Sequence, residues 1–301
     1  MKSRIFLRLS YLYASSALSV ACFSLMIIPL YAGEMGEPAV KKTLIREYSV
    51  TRLPLWEAGV FAGGLTQPAY PGAEEHASIM FGLPFVIYRG EYLRIDRGTV
   101  GVRAIKTPRT EVDVGFAASL GSRAEGIEAR HGMADLGTLL EFGPRLKIYL
   151  GDVSEGKGSS RIQIPVRGVF DADNHLRYRG IAYELQWVKD MELPKDWIVT
   201  SNAGALFGDS QLADTFYGVA PNEATSVRPA YHATGGLIAL RATLFASRLF
   251  TPDMRFLSYL RFDSLAGAAN HDSPLVRREG GWSFGIGLSW TMAHSESNAS
   301  D

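Results

Sequence analysis

The sequence predicts an all-β fold: a transmembrane antiparallel up-and-down β-barrel of about 12 strands, with 10 as the smaller alternative. Three observations predict it. Segment after segment alternates apolar residues with polar or small ones, the period of a strand that shows two different faces. The N-terminus carries Lys2, Arg4 and Arg8, then an apolar run from Leu9 to Leu30, then Tyr31-Ala32-Gly33, the layout of an export signal. Beyond that run no stretch approaches the roughly 18 apolar residues of a membrane helix. A mature chain held in a membrane must therefore close a barrel, because lipid cannot satisfy open sheet edges.

The 301 residues divide accordingly into a signal peptide (1–32), a mixed, charged periplasmic leader (33–52), the outer-membrane barrel (53–290) and a polar C-terminal tail (291–301). Lys+Arg and Asp+Glu balance at 31 each, so no cationic excess points to nucleic acid. Loss of the signal peptide leaves 28 basic against 31 acidic residues, a net charge of −3, and removes Cys22, the only cysteine. That excludes disulfides, thiolate metal sites and cysteine nucleophiles from the mature chain.

The clearest strand is the last. Trp282, Phe284, Ile286, Leu288 and Trp290 alternate with glycine and serine, which gives a lipid face with an aromatic at each interface and a lumen face that includes Gly285 and Gly287. From the start of the barrel, Leu55 to Leu65 is glycine-rich and ambiguous in facing. Ile79, Phe81, Leu83, Phe85 and Ile87 share one apolar face, read as outward, with Pro84 at an unusual place inside the run. Leu93 and Ile95 continue in phase, and a glycine bulge at Gly98 would reverse it. Further strands follow at 112–120, 136–150, 161–167, 181–187, 197–207, 238–244 and 254–263, eleven in all. Single-chain barrels have even strand numbers, so a twelfth is expected, from a split at Gly98 or from Thr215–Ala220. The long connections 121–134 and 209–230 belong outside the cell, and the turn Val188–Lys195 belongs in the periplasm.

The polar faces repeatedly carry full charges: Glu111, Asp113, Glu141, Arg145, Lys147, Arg167, Glu184, Arg241, Arg255, Arg261 and Asp263. These read as lumen-facing. A bore of ten to twelve strands is narrow, so mutual pairing is the first reading and a narrow selective channel the second. Six histidines (His76, His131, His175, His232, His271, His294) fall in loops, strand ends or the tail without metal-ligand spacing, so no metal or other cofactor is expected. His271 with Ser273, or His175 with Asp171 or Asp173, imitates the rim site of a lipid A-modifying hydrolase. Loops are rich in these residue types without chemistry, and no catalytic residue is assigned.

Ala69-Tyr70-Pro71-Gly72, Leu83-Pro84-Phe85-Val86-Ile87-Tyr88-Arg89-Gly90, Phe216-Tyr217-Gly218-Val219 and Asp272-Ser273-Pro274-Leu275-Val276, with shorter marks between them, resemble in order and spacing the MltA-interacting protein (MipA/OmpV) family. The pattern residues are Tyr70, Pro71, Gly72, Pro84, Tyr88, Gly90, Tyr217, Gly218, Ser273 and Pro274, and they spread over roughly residues 54–290. The resemblance implies a non-enzymatic Gram-negative outer-membrane barrel in contact with outer-membrane lipid. It also implies a scaffold for cell-wall remodelling, with a lytic murein transglycosylase and a peptidoglycan synthase as partners. The chain departs from the family pattern at its end, where Trp290 takes the place of the terminal aromatic and Thr291 to Asp301 follow.

Overall fold

The computed structural model describes residues 54–89, 93–96, 99–102, 105–107, 109–150 and 160–297. The expected signal peptide and leader, Gly90 and the expected bulge at Gly98 lie outside the described residues.

The strands are β1 (Trp56–Pro68), β2 (His76–Arg89), β3 (Leu93–Asp96), β4 (Thr99–Val102), β5 (Ile105–Lys106), β6 (Thr110–Ser119), β7 (Leu139–Leu150), β8 (Ser160–Asp171), β9 (Arg177–Leu193), β10 (Trp197–Gly208), β11 (Gly236–Thr251), β12 (Met254–Ser264) and β13 (Gly280–His294). They form one antiparallel sheet in which sequence neighbours are spatial neighbours and β1 also pairs with β13. β4 pairs with β3, β5 pairs with β6, and β4 lies beside β6. Taken as two pieces of one stave, β4 and β5 curl the sheet into an up-and-down barrel of even strand number. Among the described residues one α-helix, α1 (Ser210–Tyr217), stands outside the sheet.

The three longest connections, β6–β7, β10–β11 and β12–β13, leave one end of the barrel, here the loop end, together with the shorter β1–β2 and β8–β9 loops. β9 and β10 are joined at the opposite, turn end by a tight hairpin with Lys195 and Asp196 at φ +66° and +61°. Both central residues at positive φ match the right-handed twist of the flanking strands. β9 therefore runs on to Leu193, through most of the stretch expected to be a periplasmic turn.

The twelfth strand comes from the short β3 and β4 segments. The other candidate, Thr215–Ala220, is instead the end of α1 and the chain after it. Asp209 caps that helix by accepting the Leu212 N–H at 2.9 Å, and this satisfies one of the free N–H groups of the first turn.

Three facings differ from expectation. In β2 the apolar row points inward: Leu83 and Phe85 are buried, whereas Met80 and Val86 are exposed. Both faces of β2 are apolar, so alternation has no polar phase to mark the lumen. The inward rings fit because glycines stand opposite. A Cβ on Gly59 would lie 2.9 Å from the Phe85 ring; on β1, the Phe61 ring fits in the same way, 2.5 Å from where a Cβ on Gly287 would lie. Pro84 pairs with Val60 of β1, and on the other side of β2 the described residues pair with β3 only at Tyr88 and Arg89. A proline is tolerated where a strand is paired on one side only.

In β11, a bulge between the Leu206–Ala239 and Phe207–Leu237 pairs leaves Ile238 as the extra residue, buried rather than outward with Leu240, Ala242 and Leu244. Leu136, expected on the outer face of β7, precedes that strand, bridges to Ser122 and is buried. Finally, β13 passes Trp290 and reaches His294, so the expected tail gives its first four residues to the sheet.

Candidate functional site: a closed loop end over a charged lumen

The loops at the loop end fold inward. Leu212, Ala213 and Tyr217 of α1 pack on Val169, Ala182, Leu206, Ala239 and Leu265, which come from the ends of β8 to β12. A second cluster joins Ala69, Tyr70 and Ala73 to Ile127, Leu136, Val219 and Leu275. Phe216 and Tyr231 touch both clusters. Together they close over the mouth of the barrel.

Most of the family-pattern residues gather here. Tyr70 to Ala73 is a turn closed by the Ala73 N–H on the Tyr70 carbonyl at 3.0 Å, with Pro71 at its second position and Gly72 at its third. Gly72 has φ +93°, the left-handed conformation a type II turn needs there. The backbone N–H groups of Arg277 and Arg278 donate to the Gly72 carbonyl at 2.8 and 3.1 Å and tie the turn to the β12–β13 loop. The Tyr70 hydroxyl donates to the Leu275 carbonyl at 2.7 Å, and Ser273 Oγ donates to the Tyr217 carbonyl at 2.8 Å. At Gly218 a Cβ would lie 2.3 Å from Asp214 Oδ1. Pro84 and Tyr88 stand apart on β2.

Burial sets the electrostatics of this cap. It pushes the Tyr70 phenol up to about 12 and the Tyr217 phenol well above its ordinary value, so both are neutral at physiological pH. The Tyr217 hydroxyl has no hydrogen-bond partner among the described residues. Two buried arginines act as struts. Arg130 stacks over the Tyr70 ring at 5.7 Å and donates to the Phe216 carbonyl at 3.3 Å. Arg228 donates to the carbonyls of Ala129 and His131 at 3.0 Å each and of Glu223 at 2.7 Å. Beside the cap lies an open cleft of about 620 Å³, walled by Arg130, Arg177, Arg179, Asp214, Tyr178 and Tyr231 among others.

Below the cap the interior face carries charge. Arg145 grips Asp113 with both Nε and Nη2 at 2.9 and 2.7 Å, and Lys147 reaches Glu111 at 3.0 Å and Asp113 at 2.8 Å. Arg167 joins Glu141 at 2.9 Å to Glu184 at 3.7 Å. Arg241 joins Glu184 at 3.8 Å to Asp263 at 2.7 Å, and Arg261 reaches Asp263 at 3.1 Å. Arg255 is half-buried on the same face of β12. The contact between β9 and β11 passes over Gly204 of β10, which faces Gln186 on one side and Arg241 on the other. A Cβ on Gly204 would meet the Leu185 carbonyl at 2.5 Å and the Gln186 side chain at 3.1 Å, so the strands approach closely at this crossing.

Sequence reasoning missed two members of this lining. Arg161 of β8 pairs with Asp190 of β9, which also accepts from Thr200 Oγ1 at 2.8 Å. Asp190 is in phase with Glu184 and Gln186, and that phase was the available signal; reading 188–195 as a turn hid it. Arg179–Asp171 closes the loop-end rim in the same way.

The histidine candidates do not assemble. Ser273 is buried and committed to the Tyr217 carbonyl, whereas His271 is exposed and contacts Ala268 and Asp272. His175 sits at φ +52° in the β8–β9 hairpin, while Asp171 is held by Arg179. Trp282, Phe284, Ile286, Leu288 and Trp290 are exposed in alternation along β13, and Gly287 is buried between them.

Comparison with curated proteins finds no match to the sequence. Among solved structures, a NanC porin is 13% identical over 77% of this chain and 98% of its own, at a TM-score of 0.35. An outer-membrane channel from Pseudomonas putida F1 is 12% identical over 82% and 98%, at 0.38. The outer-membrane channel DcaP of Acinetobacter baumannii is 9% identical over 79% and 97%, at 0.30. The fold rests on the strand register, not on these likenesses. At the level of sequence, the family described as MltA-interacting protein MipA matches residues 60–292, a span that runs from within β1 nearly to the end of β13. The chain belongs to the MltA-interacting protein MipA family.

Proposed function

We propose that this chain is a non-enzymatic outer-membrane barrel of a Gram-negative envelope that acts as a scaffold. Its turn end would face the periplasm and engage murein-remodelling enzymes, a lytic transglycosylase first and a peptidoglycan synthase second. The observation that carries the reading is family membership over residues 60–292, under a name that states an interaction with MltA. The closed mouth supports a role other than free passage of solutes, since two apolar clusters cover it. The exposed row of aromatic and aliphatic side chains on β13 supports contact with lipid. The engagement of Ser273 Oγ with the Tyr217 carbonyl argues that this serine is structural rather than a nucleophile.

The test is capture of partners by the folded barrel in envelope extract, followed by reconstitution with the purified transglycosylase. Saturable binding through the turn end supports the scaffold. A barrel that retains no murein enzyme, or whose variants Ser273→Ala and His271→Ala alter membrane lipid composition, overturns it.

A further inference from the structure

We infer that the outer wall of the barrel carries a phospholipid headgroup site at its turn end, centred on Arg248. This rests on the membrane reading above.

Arg248 belongs to the outward row of β11, in phase with Leu240 and Leu244, both exposed. Its direct cross-strand neighbours are Trp197 on β10 and Phe256 on β12. The guanidinium lies 5.8 Å from the Trp197 ring and 5.5 Å from the Phe250 ring. Phe256 completes the cage, 6.1 Å from Trp197 and 6.0 Å from Phe250. Arg248 Nε is buried without a hydrogen-bond partner, and no ion pair forms at this side chain among the described residues.

Depth identifies the anion. From Leu240 to Arg248 is eight residues, roughly 27 Å of strand and about 20 Å along the barrel axis after tilt. Arg248 thus lies near the lower edge of an apolar band about 25 Å tall, at the level where aromatic girdles meet headgroups. A guanidinium cannot shed its proton, and a cation held between two rings on a lipid face needs a counter-charge. Phosphate is the anion present at that depth, and the planar guanidinium suits two of its oxygens. The rings add cation–π support and pack on the upper acyl carbons. The ligand is therefore the phosphodiester of one glycerophospholipid in the leaflet on the turn side.

The experiment is native mass spectrometry of the barrel released from vesicles of phosphatidylethanolamine and phosphatidylglycerol, comparing wild type, Arg248→Ala and Arg248→Lys. Heat-modifiable gel migration checks that each variant is folded and inserted. Wild type is expected to retain one phospholipid through delipidation. Arg248→Ala should lose at least tenfold in occupancy, Arg248→Lys should be intermediate, and inorganic phosphate at millimolar concentration should not displace the lipid. Equal retention by inserted wild type and Arg248→Ala overturns the site, as does displacement by inorganic phosphate. Failure of the wild type to insert would strike the membrane reading instead.

Discussion

At the scale of single residues, Arg241 holds the most exacting position in the lumen. It faces Glu184 on one side and Asp263 on the other, and both carboxylates are buried. Removing one member of a buried charge group strands the rest and typically costs about 3–5 kcal/mol. Arg241→Ala should cost that much, measured as the shift in the urea midpoint for unfolding from lipid vesicles. Arg261→Ala should cost less, because Asp263 keeps Arg241 and the Arg261 side chain is partly exposed. Tyr70 offers a pH test of the cap. Its phenol is raised from 10.0 to about 12, so folding favours the protonated form. Below pH 10 both folded and unfolded states hold the proton and stability is flat. Between about pH 10 and 12 the unfolded state loses it first, so stability falls as pH rises through the folded value. Protease sensitivity of the 209–235 loop should rise across that window, and Tyr70→Phe should blunt the rise. These charges were legible from their phase alone, but their partners were not. Glu141 pairs with Arg167 on the next strand, a choice made by strand order. Only the assembled sheet reveals that Arg241 reaches across β10 to Glu184.

At the scale of elements, the closing strand was the most legible, because its two faces differ in every residue. β2 was the least, since apolar residues line both of its faces and period alone cannot say which is the lumen. The inward choice is made at Gly59 on the neighbouring strand β1, whose missing side chain makes room for Phe85. The C-terminal boundary was misjudged for a related reason: Thr291 to His294 mix polar and apolar residues without a clear alternation, and a pair near the interface does not need an apolar row. His294 pairs with Glu57 and Thr291 with Gly59, the Ser295 N–H donates to the Trp56 carbonyl at 2.9 Å, and the Leu55 N–H donates to the Ser297 carbonyl at 2.8 Å. Removing residues 298–301 should therefore be silent. Removing 291–301 strips the seam between first and last strands and should reduce heat-modifiable, folded barrel in outer-membrane fractions by several-fold. Equal assembly of both truncations would mean that the seam closes without these residues.

At the scale of the whole molecule, two devices oppose free passage through the barrel. One is the charged lining, where the paired carboxylates and guanidiniums stand in a bore of about twelve strands. The other is the apolar cap, which sequence reading treated as external loops because helix α1 is short and its buried face is built with residues from five other connections and strand ends. The two can be separated. Leu275 is fully buried in the cluster with Tyr70 and Val219 and lies far from the charged rows of β6 to β9 in the chain. An ionised carboxylate at that position has no partner in the cluster, and burying it there costs more than opening the cap. The strands, paired along their length, should persist. In planar bilayers the wild type is therefore expected to show small or no steady conductance, and Leu275→Asp frequent openings while heat-modifiable migration is retained. Leu275→Ala, which trims volume without adding charge, should cost about 2–5 kcal/mol and leave the cap shut. If Leu275→Asp stays as tight as the wild type in a folded barrel, the block lies in the paired lumen. The cap would then be an outward-facing surface rather than a seal. A large, steady, ion-selective conductance in the wild type would contradict both and make the narrow channel the leading reading.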